Sequence, residues 1–149
     1  MYDLLFFLAL IALGYIAGTT VEKRHYRSIE NRERWTKDLP AVTMKAVDYP
    51  DEQIRSARLV TGSAVISIDY FKKILASLRN IFGGTVRSYE SLIDRARREA
   101  LLRMKESVPE ATVIVNVRIE TATIGRKANK KGVGCVEALA YGTAVELEK

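Results

Sequence analysis

The chain has 149 residues, a net charge of +6, one cysteine and one histidine. This length suits one domain plus a connector, and a single cysteine excludes an internal disulfide framework and suits a reducing compartment. One cysteine and one histidine also exclude a structural zinc site in which one chain supplies four such ligands.

The first predicted element is a membrane helix. Residues 4–21 form an almost unbroken apolar run, long enough to cross the hydrocarbon core of a bilayer. Lys23, Arg24 and Arg27 follow directly, and such a basic flank stays on the cytoplasmic side, in contact with the membrane surface. We therefore expect residues 1–21 to be a transmembrane anchor in an inner membrane of the bacterial type, with the N-terminus outside and the domain in the cytoplasm.

Two alternatives to an anchor have less support. A cleaved signal peptide has basic residues before its apolar run, but only Met1, Tyr2 and Asp3 precede this one. A buried core helix is apolar along one stripe, whereas this run is apolar all round. Within the run, Gly14 and Gly18 have the small-xxx-small spacing that lets membrane helices associate.

Residues 22–40 are expected to form a charged stalk. Glu30 and Arg34, and Glu33 and Lys37, stand four residues apart in the acid-first order that favours a helix. Few apolar residues interrupt this segment, so it is predicted to be a solvent-exposed helix that ends near Pro40. A disordered linker is the alternative. The indole of Trp35 would pack against a neighbouring stalk or against the domain; these two expectations also remain open.

The remaining residues, 41–149, are expected to form one domain that begins with two strands. Residues 41–47 alternate loosely between apolar and polar side chains. Residues 57–68 are rich in β-branched residues. Gly62 within them predicts either a bulge or a close approach of another backbone.

Two helices are predicted next. Residues 69–82 have apolar side chains at helical spacing, and Gly83 and Gly84 end that helix and allow a sharp turn. The second helix begins at residues 85–88 and ends near Ser107. Its apolar stripe also has a spacing of three and four residues.

Two long strands complete the domain, over residues 112–124 and 133–147, joined by a glycine- and lysine-rich loop over 125–132. The order β-β-α-α-β-β predicts an α+β domain with an antiparallel sheet covered on one face by helices. Alternation in the first of these strands predicts four residues on one face of the sheet: Val113, Val115, Val117 and Ile119.

Four segments of this domain resemble the YbjQ-like family, often labelled a heavy-metal-binding domain. They are TGSAVIS at 61–67, FGGTVRSYE at 82–90, LIDRARREA at 92–100 and YGTAV at 141–145. The resemblance implies a dodecin-like subunit and ring-shaped homo-oligomers, typically pentamers, of uncharacterised function. The anchor and stalk lie outside it. Residues 110–113 also depart from the family pattern, in which Gly-Ala-(Asp/Asn)-Ala often precedes the third strand.

The resemblance also marks motif positions with a structural or interfacial role: Gly62, Gly83, Gly84, Tyr89, Glu90, Gly142 and Thr143. Glu90 beside Tyr89 could act as an acid–base pair at a subunit interface. A packing and hydrogen-bonding role is favoured, because Tyr89 lies on the apolar stripe and a carboxylate is stabilised near a helix N-terminus.

The candidate metal ligand is Cys135, which a ring could gather from every subunit into one thiolate cluster. A small, half-buried strand residue is the favoured interpretation of this cysteine. Glu90, Asp94 and Glu99 could also hold a hard cation. A salt-bridged face is favoured instead, because Arg98 and Arg103 follow Asp94 and Glu99 by four residues on the same helix. No cofactor is predicted, and metal binding remains open.

Enzymatic and nucleic-acid functions have little support. One histidine in the stalk cannot form a Ser-His-Asp triad or a Cys-His dyad with the domain, and the glycines do not form a P-loop. Arg95, Arg97 and Arg98 lack an accompanying aromatic platform, so nucleic acid is not expected as a partner.

The sequence therefore predicts a membrane-anchored homo-oligomer, most simply a pentameric ring, that serves as an assembly or scaffold module. Its expected partners are copies of itself and the lipid bilayer. A metal- or small-ligand-binding ring with sites at subunit interfaces is the alternative, and an enzyme with an interfacial site is the third.

Overall fold

The computed structural model describes residues 2–45, 49–67, 87–124 and 135–148. Within these ranges the elements are helix α1, Tyr2–Trp35; a 3-10 turn, Asp51–Gln53; strand β1, Ile54–Ser67; helix α2, Arg87–Glu106; and strands β2, Val113–Ile124, and β3, Cys135–Leu147. The predicted helix at 69–82, Gly83, Gly84 and the loop at 125–132 lie outside the described residues.

The three strands form an antiparallel sheet in the order β1-β3-β2. This confirms an α+β fold with an antiparallel sheet. The inward-facing residues of the central strand β3 are small: Val136, Ala138, Ala140 and Ala144 are all buried against α2. Small side chains here let the helix lie close to the sheet, so that the core forms between these two layers.

Helix α2 covers one face of the sheet with the apolar stripe that its spacing predicts. Ala96, Ala100 and Met104 of the predicted stripe are buried in the main core and Ile93 packs against it, while Leu92, which was not predicted, is buried there as well. Gly62 on β1 lies where the strand backbone meets the helix, since a Cβ atom there would lie 2.3 Å from the Ala100 carbonyl oxygen. The register irregularity of β1 is elsewhere, between Ile54 and Ser56.

The predicted common face of β2 is wrong, because a bulge divides the strand. Between Val115 and Arg118 the pairing with β3 slips by one residue, and Asn116 in the bulge has a φ of 52°. An extra residue reverses the alternation of side chains. Val113 and Val115 consequently lie on the face of the sheet that α2 does not cover, where they pack with Val42, Ile54, Val145 and Leu147. Val117 and Ile119 lie on the opposite face, in the core under α2.

Of the first predicted strand, 41–47, the described residues 41–45 do not form a strand of this sheet. Ala41 forms an isolated parallel bridge with Ile114, and the Ile114 amide donates to the Pro40 carbonyl oxygen at 2.9 Å. Further backbone bonds join Val42 to Val117 and Met44 to Asn116. The segment therefore covers one edge of β2 at its bulged half, in a parallel rather than an antiparallel direction.

The environment predicted for the stalk also differs from the one observed. Its helical conformation is observed, as a continuation of the apolar helix to Trp35, and the disordered alternative is wrong. The stalk is not surrounded by solvent, however, because it lies against α2 with Ile29 completely buried. The indole of Trp35 is 88% exposed, so it does not pack against the described part of the domain, and its packing against a neighbouring stalk stays a prediction.

Candidate functional site

The most elaborate polar arrangement in the described residues joins the second half of α1 to the outer side of α2. We call it the docking contact. From α1 it contains His25, Tyr26, Arg32 and Glu33, and from α2 Ser91, Asp94, Arg95, Arg98, Glu99, Arg103, Lys105 and Glu106.

Glu99 is the centre of the docking contact. This residue is 4% exposed, and its carboxylate accepts hydrogen bonds from Arg32 Nη1 and Arg103 Nε, both at 2.8 Å. Burial by itself would raise the pKa of Glu99, but the bonds from Arg103 and Arg32 outweigh burial and hold that pKa below its ordinary value. Glu99 is therefore ionised at neutral pH and connects α1 to the domain.

Two guanidinium forks extend the contact on either side of Glu99. Arg32 donates through Nε and Nη2 to Glu106, both at 2.6 Å. Arg98 donates to both carboxylate oxygens of Glu33, at 2.8 and 2.6 Å. These bonds raise the pKa of both arginines and lower that of Glu33. Partly exposed pairs contribute little energy each, but a bidentate fork fixes the relative position of two helices.

Tyr26 and His25 form the part of the contact nearest the apolar half of α1. The Tyr26 hydroxyl donates to the Ser91 carbonyl oxygen at 3.2 Å, and its ring lies 5.8 Å from the guanidinium carbons of both Arg95 and Arg98. Cation–π attraction thus adds to the ion pairs. Burial, with the nearby charge of Asp94, raises the pKa of the tyrosine.

His25 is held as the neutral imidazole. Its Nδ1 accepts a bond from Arg95 Nε at 3.3 Å, so the proton lies on Nε2, which is 4.0 Å from a Glu99 oxygen. Burial and then the Arg95 charge lower the pKa of His25, against the opposing effect of Glu99, and Arg32 and Arg103 lower it further.

The docking contact is expected to weaken in mild acid. Because the pKa of His25 is lower when docked than its free value of 6.5, this group favours docking above about pH 6.5, and the favourable contribution is lost as the pH falls through the docked pKa. Hydrogen exchange of residues 24–36 should therefore be faster at pH 5.5 than at pH 7.5, after correction for intrinsic rates.

The matched control is His25→Gln, which keeps an acceptor for Arg95 but does not titrate. The difference between the two pH values should shrink in this variant. An unchanged difference would assign the effect to another group.

The predicted residues of the stalk and anchor occupy other faces of α1. Lys23, Arg24 and Arg27 are exposed, and Gly14 and Gly18 are partly exposed in the apolar half. An 18-residue window of mean hydropathy 1.8 lies within Leu5–Trp35, long and apolar enough to span a membrane, and none of it is buried. Signal sequences pass the same test of length and composition.

The predicted motif residues are distributed over the domain rather than gathered. Glu90 is exposed in the first turn of α2, where it lines an open groove with Ile93, Arg97 and Ile119. Gly142 faces the bulge of β2, where a Cβ atom would lie 3.0 Å from the Val115 carbonyl oxygen. Thr143 pairs with Leu59 and Val115 on the neighbouring strands. Tyr89 belongs to α2, and its side chain is outside the described part.

The two intrahelical pairs predicted from spacing are present. Arg103 contacts Glu99 at 2.8 Å, and Arg98 contacts Asp94 at 3.7 Å. The α1 partners of these residues were not predicted, and Glu33 pairs with Arg98 instead of the expected Lys37. The signal in the sequence that the stalk has a partner was the presence of Tyr26 and Ile29 among charged residues, and the structure shows Ile29 buried and Tyr26 bonded to α2.

The described residues do not fit a metal ion within one chain. No group of three or more His, Cys, Asp or Glu side chains comes together in the ranges that the structure covers. His25 lies beside Glu99, but Arg32, Arg95 and Arg103 supply the neighbouring charge, and cations repel a metal ion. Cys135 is half-buried at the start of β3, paired in the sheet with Ser67 and Ile124.

Comparison with known proteins identifies relatives of the domain. The YbjQ_1 family, described as "Putative heavy-metal-binding", matches residues 41–148. A UPF0145 protein of Hahella chejuensis is 39% identical over 97 residues, which cover 64% of this chain and 86% of that protein. A UPF0145 protein of Pyrococcus furiosus is 39% identical over 93 residues, covering 61% of this chain and 75% of that one.

Among solved structures, a protein of unknown function from Pediococcus pentosaceus, assigned to the DUF74 family, matches with a TM-score of 0.42 and 14% identity. The match covers 74% of this chain and 98% of that protein.

Proposed function

The chain belongs to the YbjQ_1 (UPF0145) family, whose function is uncharacterised, and from this premise we propose that it is a membrane-anchored, homo-oligomeric assembly module. In this proposal a ring, most simply a pentamer of dodecin-like subunits, lies on the cytoplasmic face. One helix per subunit crosses the membrane.

The observation that carries the proposal is the division of α1 into two halves. Its first half exposes large apolar side chains to the surroundings, with Phe6, Leu13 and Ile16 each at least 60% exposed. Its second half is locked onto the domain through Glu99 and the two arginine forks. A helix whose first half exposes apolar side chains and whose second half is bound to the domain is suited to hold that domain at a bilayer.

Self-association is supported by the far face of the sheet, the one that α2 does not cover. Leu59, Val65 and Leu139 are exposed there and lie on two adjacent strands. The outer edge of β1 has no strand partner among the described residues. Exposed apolar faces and strand edges favour association, which ring closure satisfies by pairing or covering them. Several linked anchors would then hold the ring to the membrane more strongly than one.

Native mass spectrometry of the full-length protein, released gently from its membrane, tests this proposal. We expect a single species of several subunits, five in the simplest case, with no constant added mass. A monomer at micromolar concentration would contradict the assembly. Replacement of Leu59 and Leu139 by serine should lower the subunit number, whereas Thr61→Ser on the same face should not.

The family description favours a second candidate, a ring that binds a metal or a small ligand between subunits. Because one chain gathers no ligand cluster within its described residues, such a site would need more than one subunit. It predicts a constant added mass in the same spectrum. That mass should disappear in Cys135→Ser or Glu90→Ala if either side chain contributes.

A further inference from the structure

We propose that the docking contact also determines which end of the domain faces the bilayer. Among the described residues, this end contains the first turns of α2, the last residues of β1 and β2 and the first residues of β3. The partner of this surface is the layer of phospholipid headgroups. The inference depends on the proposed membrane anchor.

Helices α1 and α2 run parallel to each other. The hydrogen bonds described between α2 and α1 with its following residue Thr36 join residues separated by 65 to 74 positions: Tyr26 to Ser91 and Asp94, His25 to Arg95, Arg32 to Glu99 and Glu106, Glu33 to Arg98, Glu22 to Ser91, and Thr36 to Lys105. A nearly constant separation means that both helices advance in the same direction. Antiparallel helices would instead keep a constant sum of residue numbers.

Two hydrogen bonds mark the ends of the contact along the helix axes. Glu22 is level with Ser91, and Thr36 is level with Lys105. The rise of an α-helix places these two levels about 21 Å apart. Because the apolar half of α1 lies before Glu22, the start of α2 is at the end nearer the membrane, and Lys105 is at the end farther from it.

The direction of α2 also determines the direction of the strands. Only residues 107–112 connect the end of α2 to the start of β2, and the Thr112 amide donates to the Val145 carbonyl oxygen at 2.9 Å. The start of β2 and the end of β3 therefore lie at the far end, with the start of β1, since Ile54 pairs with Leu147. The opposite ends of the strands, at Ser67, Ile124 and Cys135, must then point towards the bilayer.

Charge on the described residues agrees with this orientation. The exposed cations Lys23, Arg24 and Arg27 stand on α1 near the level of the first turns of α2. Basic side chains near an anionic leaflet are attracted to its surface. The same rigid contact that holds the domain would thus keep its near end at headgroup depth.

The test compares two spin-labelled variants of the full-length protein in vesicles of phosphatidylcholine and phosphatidylglycerol that contain a nickel-chelating lipid. Ser67→Cys places a nitroxide at the near end and Ser107→Cys at the far end, both in a Cys135→Ser background. Both serines are exposed. We expect headgroup nickel to enhance the relaxation of the label at 67 several-fold more than that of the label at 107.

Equal enhancement, or a larger effect at 107, would overturn the orientation. A water-soluble nickel complex should affect both labels alike and reports their exposure. Labelling of Cys135 in the otherwise unchanged chain provides a second near-end position if the background substitution impairs folding.

Failure of the anchor itself would be recognised separately. The protein would then leave the vesicles on washing at alkaline pH, before any relaxation is measured. Retention in the vesicles with equal relaxation at both positions would contradict the orientation alone. Arg32→Ala combined with Arg98→Ala, which removes both forks, should reduce the difference between the two labels.

Discussion

Replacing Gly62 by alanine is expected to destabilise the protein by about 3 kcal/mol or more, at the upper end of the range for overfilled cores. The added Cβ atom would lie 2.3 Å from the Ala100 carbonyl oxygen and 2.4 Å from the Met104 amide nitrogen. Both are backbone atoms of α2, so no side-chain rotation relieves the overlap and the helix must move away from the sheet. Ala96, Ala100 and Met104 would lose contacts together, because one helix carries all of them.

Chemical denaturation of the full-length protein in mild detergent, followed by circular dichroism, measures this effect. Ser63→Ala is the matched control, since Ser63 is the next residue on β1 and faces away from α2. Gly142→Ala should have an intermediate effect, because its nearest contacts, the Ile114 side chain and the Val115 carbonyl oxygen, would both lie at 3.0 Å, farther away than the contacts at Gly62. A Gly62→Ala protein as stable as Ser63→Ala would contradict the close packing of β1 and α2.

Replacing Glu99 by alanine is expected to lower the free energy of unfolding by about 3 kcal/mol. Removing one partner of a buried ion pair typically costs about 3–5 kcal/mol, because the other charge is left without compensation. The lower figure applies here, since Arg32 and Arg103 each retain access to water. The loss should appear first in α1, as faster hydrogen exchange over residues 24–36 than in the unaltered protein.

Glu106→Ala is the control for this prediction. Glu106 also pairs with Arg32, but its side chain is 37% exposed, so its removal should cost no more than about 1 kcal/mol. Glu99→Gln should fall between the two, because the amide oxygen still accepts a hydrogen bond from one arginine. Equal losses of unfolding free energy in Glu99→Ala and Glu106→Ala would contradict the expectation that burial makes the Glu99 ion pairs more important for stability.

Local sequence patterns predicted those features that depend on residues of one helix or one strand. The apolar stripe of α2 and the β-branched run of β1 were predicted within a few residues, and the pairs of Glu99 with Arg103 and of Asp94 with Arg98 follow from helical spacing alone. The family motifs also indicated an α+β domain. All of these depend on residues that are close in the sequence.

Sequence patterns did not predict those features that depend on the pairing of two elements. The alternation in β2 predicted one apolar face, but the bulge at Asn116 moves Val113 and Val115 to the other side. Nothing in the period of the strand marks this residue, since the slip depends on how β3 pairs with it. The edge segment at Ala41 similarly acquires its direction from β2.

Local sequence patterns are enough to predict an apolar run of bilayer length, a basic flank, and the helical stripe and strands of a YbjQ-like domain. The contacts of the charged stalk, by contrast, depend on the tertiary structure. Periodicity within one helix reports which side chains share a face, but it contains no information on the partner of that face. The partners of His25, Tyr26, Arg32 and Glu33 lie 65 to 74 residues away on α2. Burial of Glu99 between the two helices therefore arises only when the chain has folded.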